Sequence, residues 1–117
     1  MIELTGLNGA KILVAARTIF RIRPNSNSSG VIETKVDYSS GYIFTLEPLA
    51  DLLDRLAGEI KLIKLTTRSG TTVHLNVASI TRVREALQIN APGTEILVGG
   101  QYQHVIETVE QVKSLLT

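Results

Sequence analysis

The sequence predicts an α+β fold dominated by strands and written as two repeats. Three observations predict it. The phrase "TIFRIR" (Thr18 to Arg23) returns as "SITRVR" (Ser79 to Arg84), inside a gapless match of residues 2–23 to residues 63–84. Residues 39–56 then match residues 99–116 with the offset one shorter, so the loops between differ in length. Each half also reads as short alternating runs bounded by turn residues and closes on an apolar stripe of helical spacing. Each repeat is expected to be a strongly bent antiparallel sheet or small open barrel of about five strands with a short helix after it. The first copy is placed at residues 1–58 and the second, rigidly packed on it, at residues 59–117.

The elements follow in chain order. "IELT" alternates and reads as a strand, and "LNGA" as an Asn-Gly turn of type I′, whose positive φ both residues tolerate. Its counterpart in the second copy is "RSGT". "KILVAA" and "TVHLNV" are second strands; "TIFRIR" and "SITRVR" are third strands, rich in β-branched residues. "PNSNSSG" (Pro24 to Gly30) reads as a polar loop and "NAPG" (Asn90 to Gly93) as its tighter equivalent. "VIETKVDY" and "TEILV" are fourth strands, "GYIFTL" and "QYQHVI" fifth strands. Pro48 suits a first helical turn, where its missing N–H costs nothing. Leu49, Leu52, Leu53 and Leu56 then form one stripe, and Val109, Val112, Leu115 and Leu116 a looser one. Gly58 is the expected C-cap of the first helix. The next strand run begins almost at once, which predicts a rigid junction between the copies.

Composition bounds the function. The chain has 117 residues, 44% of them hydrophobic and 4% aromatic, with no Trp and a net charge of +1. A unit of about 60 residues buries only about 60% of its unfolded surface, so two such units gain by sharing a core. The neutral balance gives no basis for wholesale binding to duplex nucleic acid, and an anion site has to come from local clustering. The few aromatics argue against gripping single-stranded bases mainly by stacking. The absence of cysteine excludes disulfides, thiolate nucleophiles and Cys-ligated zinc. The opening residues read as a strand rather than a signal peptide, and no apolar run approaches the roughly 20 residues of a membrane span. The chain is therefore read as cytoplasmic and without membrane contact.

The run "IxLTxxNG", a strand with "I-x-R-I" or a near variant, a loop and a terminal amphipathic helix resembles the FlbD (SwrD) family of small flagellar-associated proteins. The matching residues are Ile2, Leu4, Thr5, Asn8, Gly9, Ile19 and Ile22 in the first copy. In the second they are Ile63, Leu65, Thr66, Gly70, Asn76, Ile80 and Val83, with the ending "HVIETVEQV". The resemblance covers most of each half; members of that family are single units, whereas this chain carries two. Its size and strand order are also similar to small phage β-proteins. One kind is the Sm-like proteins, which form rings and bind RNA. The other is the Thoeris anti-defence sponges, which sequester cyclic nucleotides.

The candidate site residues are the repeated arginines. Residues i and i+2 of a strand share a face, so Arg21 and Arg23 point together, as do Arg82 and Arg84. Two guanidiniums about 7 Å apart can clamp a phosphate through bidentate hydrogen bonds. The competing reading is a solvated strand face paired to Glu33, Asp37 or Glu95. Arg68 in the second hairpin could add to the site. Tyr42 and Tyr102 are equivalent and are read either as packing or interface residues or as stacking surfaces for a base. His74 and His104 lack metal-ligand spacing and are expected to be packing residues. Glu47 and Glu107 are equivalent and are read as charges at helix N-termini. Gly99 and Gly100 precede a strand and make neither a dinucleotide fingerprint nor a P-loop. No nucleophile, acid–base pair or metal cluster carries a motif, so the expectation is a non-enzyme without metal or cofactor.

These residues point to a binding protein, of phage or bacterial kind, that holds a nucleotide-like or RNA phosphate on its arginines at a cleft between repeats or subunits. The alternative is a flagellar or motility-accessory, or structural, protein–protein interaction module that uses a sheet edge. Sheet edges invite pairing, so a homo-oligomer is expected.

Overall fold

In the first strand, β1 (Ile2–Thr5), Ile2 and Leu4 face inward and Glu3 outward, the alternation its sequence demands. The computed structural model describes residues 1–26, 32–87 and 92–117. β1 turns back into β2 (Lys11–Val14), and a 3-10 turn (Ala16–Thr18) leads to β3 (Ile19–Ser26), β4 (Ile32–Tyr38), β5 (Gly41–Thr45) and helix α1 (Leu49–Leu56). The same run of elements then occurs again. It comprises β6 (Leu62–Thr66), β7 (Thr72–Asn76), a 3-10 turn (Val77–Ser79), β8 (Ile80–Glu85), β9 (Thr94–Val98), β10 (Gln101–Val105) and helix α2 (Val109–Leu116).

The strands form three antiparallel sheets, ordered β1-β2, β5-β4-β3-β7-β6 and β10-β9-β8, and none closes into a barrel. Backbone contacts join these sheets end to end. Gly6 bridges Thr45 beside β1 and β5, and the Ile106 N–H donates to Thr66 C=O at 2.9 Å beside β6 and β10. The ribbon therefore runs β2-β1-β5-β4-β3-β7-β6-β10-β9-β8. Its middle joint pairs β3 of the first half with β7 of the second, Arg21 opposite Leu75 and Ile22 opposite His74.

Matching hydrogen bonds recur in the two halves. The Glu47 carboxylate accepts from the Thr5 N–H and that of Glu107 from the Thr66 N–H, each at 3.0 Å. The Thr34 hydroxyl donates to Glu47 C=O and the Thr94 hydroxyl to Glu107 C=O. Both third strands carry a register shift at the same place, between Ile19 and Arg21 and between Ile80 and Arg82. Each half has its own apolar cluster. One gathers Leu4, Ile19, Ile22, Val36, Leu52 and Leu56; the other gathers Leu65, Val73, Leu75, Ile96, Val105 and Val112. Phe20 crosses over: it comes from β3 and is buried in the second cluster. Gly99 makes room for it, since a Cβ there would fall inside the Phe20 ring, and its φ of 56° lies in the left-handed region.

Several local expectations change. Neither hairpin is of type I′, because among the described residues none other than glycine has positive φ. Instead the Gly9 N–H donates to Gly6 C=O and the Gly70 N–H to Thr67 C=O, and only Gly9 and Gly70 turn left-handed, the three-residue turn with a bulge. Pro24 to Ser26 belong to β3 rather than to a loop: Pro24 pairs opposite Thr34 on β4 and lies beyond the residues of β3 that pair with β7, where a missing N–H is tolerated. The rest of that loop, and Asn90 and Ala91 of "NAPG", lie outside the described residues. Gly58 does not cap α1: its φ is not left-handed, the C-cap is Ala57, and Leu56 C=O accepts from the Glu59 and Ile60 N–H groups. Glu47 and Glu107 bind the ends of β1 and β6 instead of capping helices. Helix α2 is capped by Thr108 and Gln111 in a reciprocal box, a pairing the sequence carries at the right spacing.

Candidate functional site

The register sets the four arginines into lateral rows. Across the first half, Arg21 lies opposite Asp37, which lies opposite Tyr42. Across the second, Arg82 lies opposite Leu97, which lies opposite Tyr102. The neighbouring rows are Arg23–Lys35–Phe44 and Arg84–Glu95–His104. The sequence puts each arginine pair on one face of its strand; the cross-strand register adds a tyrosine to the row of Arg21 and to that of Arg82.

The rows differ in chemistry. Arg21 is buried, 5% exposed, and its Nε donates to Asp37 Oδ2 at 2.8 Å. Its other nitrogens donate to Gln103 Oε1 at 3.1 Å and Gln101 Oε1 at 2.6 Å, both on β10 of the other half. Arg21 is a strut between the halves, and each of its three guanidinium nitrogens donates a hydrogen bond. Arg23 is half-buried, and burial, followed by the charge of Arg21, lowers its pKa against the opposing pull of Asp37. Lys35 stands 4.6 Å from the centroid of the Tyr42 ring, which also packs edge-on against Phe44 at 5.5 Å.

In the second half Leu97 stands where Asp37 stands in the first, so the Arg82 row holds no carboxylate. Arg82 is exposed, and its Nη2 donates to the Tyr102 hydroxyl at 2.8 Å. Both Arg82 and Arg84 place a guanidinium within cation–π distance of the Tyr102 ring, at 5.7 and 5.8 Å from its centroid. Arg84 also pairs with Glu95 at 3.1 Å. Tyr102 is 58% exposed and Tyr42 59%, so neither ring is buried in a core.

Next to this cluster lies an open hollow of about 540 Å³, lined by Thr67, Arg68 and Ser69 of the second hairpin and by Glu95, Tyr102, Gln103 and His104. Arg68 therefore lines the same hollow as Tyr102. The sequence does not single out Glu95, Gln103 or the hairpin hydroxyls as lining residues; the β8–β9–β10 register would have found the first two. His74 lies away from the hollow, on β7, buried opposite Ile22 and Lys64. Burial and then Lys64 lower its pKa. Among the described residues no group of three or more His, Asp or Glu side chains is placed to hold a metal ion, and no helix is long and apolar enough to cross a membrane.

No family model matches the chain, and no curated protein or solved structure is significantly similar to it.

Proposed function

We propose that the two halves are copies of one duplicated unit and that the protein is a non-enzymatic binder of a nucleotide-like or RNA phosphate. The observation that carries the reading is the Arg82–Leu97–Tyr102 row, in which an exposed guanidinium and an exposed ring lie together with no carboxylate between them. Arg82 takes the phosphate together with Arg84, whose Nη2 stays on Glu95, and Arg68 adds charge at the hollow. Tyr102 offers its face to a base, and Glu95 accepts from ribose hydroxyls. Phosphate contacts of this kind are charge-assisted and favour arginine. In the first half Lys35 beside Tyr42 replaces the paired guanidiniums, and Arg23 flanks them, while Arg21 holds the halves together.

A second reading, a motility-accessory or structural interaction module, draws on the exposed Tyr42, Leu46, Tyr102 and Ile106, which form apolar surface on the same strands and just past them.

Native mass spectrometry of the purified protein, alone and with ATP or a short single-stranded RNA, separates the two. The anion reading predicts a phosphate-bearing adduct that Arg82→Ala with Arg84→Ala removes. A charge-assisted hydrogen bond contributes about 1.5–3 kcal/mol, so each lost arginine weakens binding about tenfold or more. Wild-type protein that retains neither probe would favour the interaction module.

A further inference from the structure

The two ends of the strand ribbon are unequal halves of a joint that the chain already makes once in its middle. β3 gives its edge to β7, antiparallel, with Arg21 opposite Leu75 and Ile22 opposite His74. The equivalent strands, β8 and β2, are the two ends of the ribbon, and neither has a partner on its outer edge among the described residues. We propose that β8 of one molecule pairs with β2 of a second copy in that same register, Arg82 opposite Val14 and Val83 opposite Leu13.

Burial supports the joint. His74, on the paired strand, is 9% exposed; its counterpart Leu13, on the open one, is 63% exposed. Ile19 and Ile22 on β3 are fully buried, whereas Ile80 and Val83 on β8 are only half-buried. An unpaired edge that also exposes a leucine is the arrangement that folded chains ordinarily cover or blunt. The contact is head-to-tail: each molecule offers a β8 edge at one end and a β2 edge at the other, so it propagates until the rotation closes a ring.

The joint also changes the surroundings of Arg82. Gln101 and Gln103, which hold Arg21 at the middle joint, correspond to Gly41 and Ile43 in the first half. At a joint between molecules Arg82 would thus meet no side-chain amide, which leaves its guanidinium for a ligand. The pairing itself does not depend on that ligand.

The test uses the native absence of cysteine. Leu13→Cys and Val83→Cys are made on separate chains, one of them tagged, mixed without ligand and treated with a short bis-maleimide. The expected product is the mixed, tagged-to-untagged species, with little crosslinking of either variant to itself. Leu13→Asp changes a residue that is exposed within one molecule; it should leave the melting curve of the fold in place and turn the native mass spectrum into single chains. Wild-type protein that is single-chain at micromolar concentration would overturn the proposal. So would an oligomer that forms no mixed product or survives Leu13→Asp.

Discussion

β3 and β8 open on the same pattern, Ile-x-Arg-x-Arg, and live in different surroundings. β3 is the centre of a five-stranded sheet, flanked on both sides, and β8 is the edge of a three-stranded one. On β3, Phe20 reaches into the other half and Arg21 is buried among Asp37, Gln101 and Gln103. On β8, Thr81 and Arg82 are exposed, and Arg82 lies opposite Leu97 rather than a carboxylate. A repeated phrase therefore fixes a strand and its pleat but not the role of its side chains. The same letter is a buried strut between the halves at one position and an exposed side chain at the other.

The largest expected effect breaks this comparison at Phe20. Truncation to Ala removes a buried ring from the second core and should cost about 3–5 kcal/mol. Thr81→Ala, at the exposed equivalent, should stay within about 0.5 kcal/mol. Urea titration of both variants decides it; equal losses would mean that the two strands share one environment after all.

Next comes Arg21. Its removal leaves Asp37 buried with Lys35 at 3.9 Å as its nearest cation, so Arg21→Ala should cost about 3 kcal/mol. Arg82→Ala should barely move the midpoint. The comparison sharpens with a double variant, Arg21→Met with Asp37→Leu, which copies the Leu97 side of the second half. It should recover part of the loss: replacing a buried ion pair by apolar groups is often near neutral, but Gln101 and Gln103 still lose their donor.

The smallest effect belongs to His74. Its pKa is lowered in the folded state, first by burial and then by Lys64. The unfolded chain, with an ordinary histidine pKa of about 6.5, therefore binds the proton more readily. Stability from this group is complete above that value and declines as pH falls below it toward the folded pKa. His74→Gln should flatten that part of a melting-temperature profile; an unchanged slope would place the acid sensitivity elsewhere.

The order of strands and helices was legible because alternation and helical stripes are local. Ile2 and Leu4, or Leu52 and Leu56, show their buried face in the sequence itself. The break in offset between the halves also marked where their loops differ. Turn geometry was less legible: Asn8 tolerates positive φ, but the bulged turn puts only Gly9 there. The site was half legible. Spacing placed each arginine pair on one face, yet what faces an arginine depends on cross-strand register. Arg21 opposite Asp37 and Arg82 opposite Leu97 are separated from their partners by about the same stretch of chain, and only the paired sheet tells a buried strut from an open clamp. That β3 is central and β8 an edge is set by the β3–β7 joint, which no local pattern announces.

The central claim is that the second-half arginines bind an anion while the first-half Arg21 serves structure. Fluorescence anisotropy of a labelled short single-stranded RNA, titrated with wild-type protein and with Arg82→Ala, tests it most directly. The account predicts saturable, salt-sensitive binding by the wild type and a loss of about tenfold or more in the variant at an unchanged melting temperature. Binding of equal strength by both proteins would contradict it.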